Sequence, residues 1–145
     1  MKVTILEPKP DEEDEIIIKC ANLDENLLEL IRDLKQGSSK LNVYRNSEIF
    51  RIEPEQVYYF ESVDQKVFAY CRTDVFEIKS KLYELEEELP KQDFIRAAKS
   101  IILNLNKIKS LTPAFGGRFE ALLKNGEKVI ISRQYVSVLK KKLGL

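Results

Sequence analysis

The sequence contains no histidine, and only two cysteines in 145 residues. Without imidazole, the usual zinc constellations, histidine-based acid–base pairs and Ser-His-Asp triads are excluded. Cys20 and Cys71 lie far apart, with no Cys-x-x-Cys spacing. They would pair only if the fold brought them together, and a cytoplasm keeps such thiols reduced. Both sit in apolar, strand-like runs and are expected as small buried hydrophobes. No GxGxxG or Walker pattern occurs, and Glu86 and Glu87 fall in a charge-rich helix where solvation accounts for them. These absences argue against an enzyme and give no cofactor or metal site. No apolar run approaches the roughly 20 residues of a membrane-spanning helix. The start MKVTILEPKP has no extended apolar region and no small-residue cleavage site, which points to a cytoplasmic protein. Internal repeats and low-complexity segments are also missing.

Net charge is absent too, with 24 basic and 24 acidic side chains, but the balance hides an asymmetry. Residues 1–39 carry five basic and ten acidic side chains, whereas residues 40–145 carry nineteen and fourteen. From Lys91 to the end there are twelve basic and three acidic. An anionic partner responds to the local field, so the distribution matters more than the sum. The hydrophobic fraction of 43% and charged fraction of 33% describe a globular domain able to bury a core, with room for a small extension.

Residues 1–7 read as a strand stopped by Pro8 and Pro10, and residues 16–20 as a second strand, expected to pair with the first, after an acidic loop. Asn22 or Asp24 is positioned to cap a helix carrying Leu27, Leu28, Ile31 and Leu34, which ends at Gly37. Residues 1–39 thus predict a small strand–strand–helix extension, too small to stabilise itself. It is expected to pack on the remainder or on its twin in a homodimer. The boundary falls in the segment GSSK.

Short strands follow: LNVYRN and EIFRI around Ser47, then VYYFESV and KVFAYC around Asp64-Gln65, then TDVFEI as an edge strand. The segment KSKLYELEEELP predicts a short helix with Leu82, Leu85 and Leu89 on its apolar stripe. After a turn at 113–117 come the strand RFEALL, a two-residue hairpin signal at Asn125-Gly126, and the strand KVIIS. The chain ends in a basic amphipathic helix with Tyr135, Val138 and Leu139 on its apolar face. About ten strands and three helices with short connections give an antiparallel α+β architecture.

The chain is organised around residues 93–110, DFIRAAKSIILNLNKIKS. Arg96, Lys99, Lys107 and Lys109 flank an apolar segment that must be buried, and the single carboxylate is the first residue. Cations fixed beside a buried segment can meet a phosphate backbone in register. A plain amphipathic strand or helix with a solvated basic face fits the same pattern.

Four segments occur in an order that resembles the LytTR DNA-binding domain of bacterial transcription regulators: VYYFESVDQKVFAYC, KLYELEEEL, FIRAAKSIILNLNKI and KNGEKVIISRQYVSVLKKKL. The likeness covers about residues 40–145. It includes a Phe-x-Arg-x-x-Lys-Ser step, Asn104, the Asn-Gly pair and a Ser-Arg-x-Tyr step. The resemblance implies a mostly antiparallel β domain that enters double-stranded DNA with loops. It assigns DNA contacts to Lys66 in a first loop, to Arg96, Lys99 and Ser100 in a second, and to Ser132, Arg133 and Gln134 in a third. Ala98 stands where the family often has histidine, so no base contact is carried over there. With only about 39 residues ahead of the domain, the likeness is to a stand-alone regulator without a receiver. Some such regulators are accompanied by small membrane proteins that restrain them, a partner implied here by analogy only.

Chemistry agrees with these roles. Arginine bonds bidentately to guanine, lysine suits phosphate as a point charge, and serine can donate to phosphate oxygen. Plainer roles are an Arg133–carboxylate pair at a helix start and an ordinary hairpin lysine at 66. The competing function is an interaction module that turns the basic C-terminal face to an acidic protein or a membrane. Such a module would lose affinity with salt without choosing a base sequence.

Overall fold

In the β domain, strands pair with their sequence neighbours wherever a turn of two residues permits it. A computed structural model describes residues 2–36 and 40–145 of the chain. Strands β1 (Leu41–Arg45) and β2 (Glu48–Ile52) join through Asn46 and Ser47. Strands β3 (Tyr59–Val63) and β4 (Lys66–Tyr70) join through Asp64 and Gln65. All four turn residues have positive φ, which gives the backbone twist that two-residue hairpins require. Strand β5 (Val75–Ile78) returns along β4 and is followed by helix α2 (Leu82–Glu88). Then come β6 (Phe94–Ala98), β7 (Ile101–Asn104), β8 (Ile108–Pro113), β9 (Phe119–Leu123), β10 (Lys128–Ile131) and helix α3 (Arg133–Leu143).

These strands form a seven-stranded antiparallel sheet, ordered β2-β1-β5-β4-β3-β7-β6, and a three-stranded sheet, β10-β9-β8. The segment 93–110 therefore supplies β6, β7 and the start of β8. Its apolar residues alternate between two cores. Phe94 and Ile102 join Phe60, Phe76, Leu82 and Leu85 on the α2 side. Ile95, Ala97 and Leu103 join Ala121, Leu123, Ile131 and Leu139, between the large sheet, the small sheet and α3. Burial on both faces explains why FIRAA and IILN lack the polar alternation of a half-exposed strand. Leu82, Leu85 and Leu89 are all buried, as their spacing predicts.

Asn104 closes the junction. It is 1% exposed, its amide donates to the Val57 carbonyl at 2.8 Å, and its side-chain oxygen accepts the Asn106 N–H at 3.0 Å. At this end the two sheets also meet through Tyr59. Burial, followed by a hydrogen bond to Glu127, holds its phenol well above the usual tyrosine range.

Several expectations are corrected. The strands predicted at 1–7 and 16–20 do not form; among the described residues, the only regular element before β1 is α1 (Glu25–Gln36). Two short apolar runs separated by Pro8, Pro10 and an acidic loop make at best an isolated pair, which is marginal in water. Cys20 is accordingly exposed rather than buried. Asp24 is the residue that caps α1, its carboxylate accepting the Leu27 N–H at 2.8 Å. The predicted helix stop at Gly37 and boundary at 37–39 lie outside the described residues. By its contacts the chain divides into Met1–Gly37 and Ser38–Leu145.

In the second unit, β5 is an interior strand, because β1 pairs with it through Tyr44 and Glu77. The Asn125-Gly126 loop spans four residues, 124–127, with the Asn125 side chain accepting the Glu127 N–H. On α3, Val138 faces outward and Val136 packs inward beside Tyr135 and Leu139. Among the described residues no helix is long and apolar enough to cross a membrane.

Two outcomes follow. Asn104→Ala should lower stability in urea unfolding by about 1–3 kcal/mol for each buried backbone group left without a partner. Burial, aided by the nearby Asp74 charge, pushes the Cys71 thiol up to about 11. Iodoacetamide at pH 8 should therefore modify exposed Cys20 well before Cys71, as read by mass spectrometry of timed samples.

Candidate nucleic-acid interface

Strand register decides which turns share an end of the β domain. Val63 pairs with Lys66, so the β3–β4 turn caps one end of those strands. Strand β7 leaves the same end, because the Ser62 N–H donates to the Ser100 carbonyl at 2.9 Å. The start of α3 is drawn to the β6–β7 turn by the Ser132 N–H, which donates to the Ala97 carbonyl at 2.8 Å. The pairing of Phe119 with both Pro113 and Ile131 adds the β8–β9 bend to this end. Four turns thus lie along one edge, fixed by backbone hydrogen bonds rather than by long side chains.

Lys66 begins β4 and is exposed. Lys99 and Ser100 form the β6–β7 turn, with Lys99 exposed and Ser100 half-buried. Ser132 caps α3 with its backbone extended and its hydroxyl not engaged in capping. Arg133 and Gln134 open the helix and are exposed. The three predicted loops therefore come together with all seven residues.

Arg96 differs from the other six. Its side chain is 18% exposed, and Nη2 lies 3.2 Å from a Glu86 carboxylate oxygen. Its Nη1 donates to the Lys99 carbonyl at 2.9 Å. With its donors held in this way, the guanidinium braces the turn that carries Lys99. A β-bulge between Arg96 and Ala98 gives that turn its bend.

The run Arg96, Lys99, Lys107 and Lys109 does not form one face. Lys107 and Lys109 belong to the other end of β7 and β8, where Ile108 pairs with Leu123. The Lys107 ammonium sits 5.2 Å from the centre of the Tyr58 ring. A strand reversal separates cations that are close in sequence.

Arg133 occupies the first position of an eleven-residue helix with no acid in its first turn. A cation at the positive end of the helix dipole is unfavourable, by about 0.3–1 kcal/mol. Among the described residues Arg133 is in no ion pair, so the carboxylate pairing open to it in the sequence is not made. Its stem packs on Gly117: a Cβ there would meet Arg133 Cγ at 3.3 Å. Together the arginine, the Ser132 hydroxyl that makes no capping bond and the backbone N–H groups of Arg133 and Gln134 make a corner suited to an anion, while the Tyr135 N–H donates to the Ser132 carbonyl.

Sequence reading missed Lys81, Tyr83 and Phe115 at this end. The pairing of Val67 with Ile78 puts the segment after β5 beside the start of β4. That placement follows once KVFAYC and TDVFEI are read as neighbours, and it carries Lys81 and Tyr83 with it. Phe115 is 97% exposed at the tip of the β8–β9 bend, and no pattern in the sequence marks it.

The domain is thus a mostly antiparallel β scaffold with a cationic set of turns gathered at one end. The chain belongs to the LytTR family: residues 47–144 match the model of the LytTr DNA-binding domain. A solved LytTr DNA-binding domain from Bacillus cereus superposes with a TM-score of 0.71 at 32% identity, covering 75% of this chain and all of that one. Sensory transduction protein LytT of Enterococcus faecalis is 32% identical over 108 residues, 74% of this chain and 45% of that protein. The Bacillus subtilis LytT is 27% identical over 138 residues, 93% of this chain and 57% of that protein. The chain thus spans about half the length of these two relatives. An uncharacterized HTH-type transcriptional regulator of Staphylococcus aureus (strain NCTC 8325 / PS 47) is 30% identical over 148 residues, covering all of this chain and 99% of that one.

The packing of Arg133 on Gly117 gives a direct test. Gly116 and Gly117 have φ of +76° and +77°, but a Cβ at Gly116 meets nothing within 4 Å. Alanine at either should cost about 1 kcal/mol through backbone strain. Only Gly117→Ala should also shift the Arg133 Nε–H signal in NMR spectra.

Proposed function

We propose that this chain is a sequence-specific transcription regulator that reads double-stranded DNA with the turns gathered at one end of its β domain. The observation that carries this reading is the convergence of Lys66, Lys99, Ser100, Ser132, Arg133 and Gln134 on one edge. In this reading Arg133 reads a base edge, and its tolerance of an unfavourable helix position supports that role. Lys66 and Lys99 neutralise phosphates, and Ser100, Ser132 and Gln134 supply neutral donors. Arg96 positions the Lys99 turn through its bonds to Glu86 and the Lys99 carbonyl.

Residues 2–36 have a separate role in this reading, as a homodimerisation element. Val3, Ile5, Leu6, Ile16 and Ile17 are exposed, and so are Leu28, Leu30 and Leu34 of α1. Apolar surface of this extent supports association. Sedimentation of the full chain and of residues 40–145 tests it. A dimer that becomes a monomer on truncation is the expected result, and equal monomer masses contradict it. A small membrane protein that restrains the regulator is a further partner by analogy alone.

Selection of bound duplexes from a random DNA pool with the purified full chain tests the main reading. Recovery of a defined motif is expected, whereas salt-sensitive binding with no motif would sink it in favour of a non-specific anion-binding module. On the recovered site, Arg133→Ala should lose roughly 1–3 kcal/mol and relax preference at one base position. Lys99→Ala should weaken binding to most sequences alike and lower the salt slope by about 0.9. Lys99→Ala should melt as the parent does, and Arg133→Ala should stay within about 1 kcal/mol of it, because relief at the helix dipole opposes the lost packing on Gly117.

A further inference from the structure

An open groove of about 400 Å³ lies beside the β6–β7 turn, between that turn, the β3–β4 hairpin and the start of α2. Its polar lining is Ser62, Lys81, Tyr83, Arg96, Lys99 and Ser100. We infer that this groove seats a phosphodiester of the DNA backbone, held by the Lys81 and Lys99 ammonium groups and by the hydroxyls around them. The inference rests on the DNA-reading function proposed above and deepens it by joining Lys81 and Tyr83, which lie outside the three predicted loops, to the Lys99–Ser100 turn.

Charge and hydrogen-bonding capacity both select such a ligand. No carboxylate lines the groove. Glu86 reaches Arg96 from beside it, so that pair contributes little net charge to a ligand. Lys81 and Lys99 are exposed and, among the described residues, neither enters an ion pair. Two lysines without a carboxylate partner among the described residues, in one lining, favour an anion between them. Three hydroxyls, from Ser62, Ser100 and Tyr83, add neutral donors, and Tyr83 is 60% exposed with its ring at the groove. Val67 and Leu82 add apolar surface to the lining.

Position selects a backbone phosphate in particular. The groove includes the Lys99–Ser100 turn and borders the β3–β4 turn that carries Lys66. A duplex lying along the edge marked by Lys66, Lys99 and Arg133 would pass its sugar-phosphate chain over the groove mouth. Contacts of this kind fix register without reading sequence.

Salt dependence of binding by the full chain to its selected duplex tests this. Lys81→Ala should lower the slope of log K against log salt by about 0.9, with the preferred base sequence unchanged. Tyr83→Phe should weaken binding at every salt concentration and leave the slope as in the parent. Lys124→Ala, in the β9–β10 loop at the opposite end, should change neither affinity nor slope. A parental slope in folded Lys81→Ala overturns the phosphate seat, as does an altered base preference. Failure of the parent to select any sequence would instead sink the DNA-reading function itself, so the two failures are separable.

Discussion

The fold depends on burying the β6–β7 hairpin on both faces. Phe94 and Ile102 point to one core, and Ile95, Ala97 and Leu103 to the other. Removing this hairpin would separate the large sheet from the small sheet and α3, and each would expose an apolar face. Burial of side chains this size is worth about 1.5–3 kcal/mol each, so the hairpin is the main energetic link between the two layers. Its turn, Lys99-Ser100, inherits that rigidity. The candidate DNA edge is built outward from this turn, through Ser62 on one side and Ser132 on the other.

Electrostatics across the β domain rest on which cations are already committed. Arg96 is held by Glu86, Arg45 by Asp74, and Lys107 and Lys140 lie over aromatic rings. Lys66, Lys81, Lys99 and Arg133 are in no ion pair among the described residues, and all are exposed. Overall neutrality says little about this surface, because an approaching polyanion feels the uncommitted charges within about a Debye length of 8–10 Å.

Much of this arrangement was legible in the sequence. Alternation and turn residues marked β1–β5, and the leucine spacing marked α2. The likeness to LytTR domains supplied the three loops, which do lie together. What the sequence hid has physical causes. Residues 16–18 have strand-like composition but gain no partner, and propensity alone does not hold a strand. FIRAAKSIILN reads ambiguously as strand or helix, because burial on both faces erases the alternation that distinguishes them. The grouping of Arg96 with Lys107 and Lys109 failed because β7 carries the chain from one end of the domain to the other. Lys81 and Tyr83 went unnoticed because their place at the edge depends on strand register, and Phe115 because exposure leaves no pattern.

The central claim is that DNA is met by one end of the β domain. NMR titration of isotope-labelled full chain with its selected duplex tests it most directly. The account predicts backbone shifts confined to residues 64–67, 80–83, 97–100, 113–118 and 132–135, with little change at 46–47, 72–74 and 124–127. Shifts centred on those last three segments, at the opposite end of the strands, would contradict it.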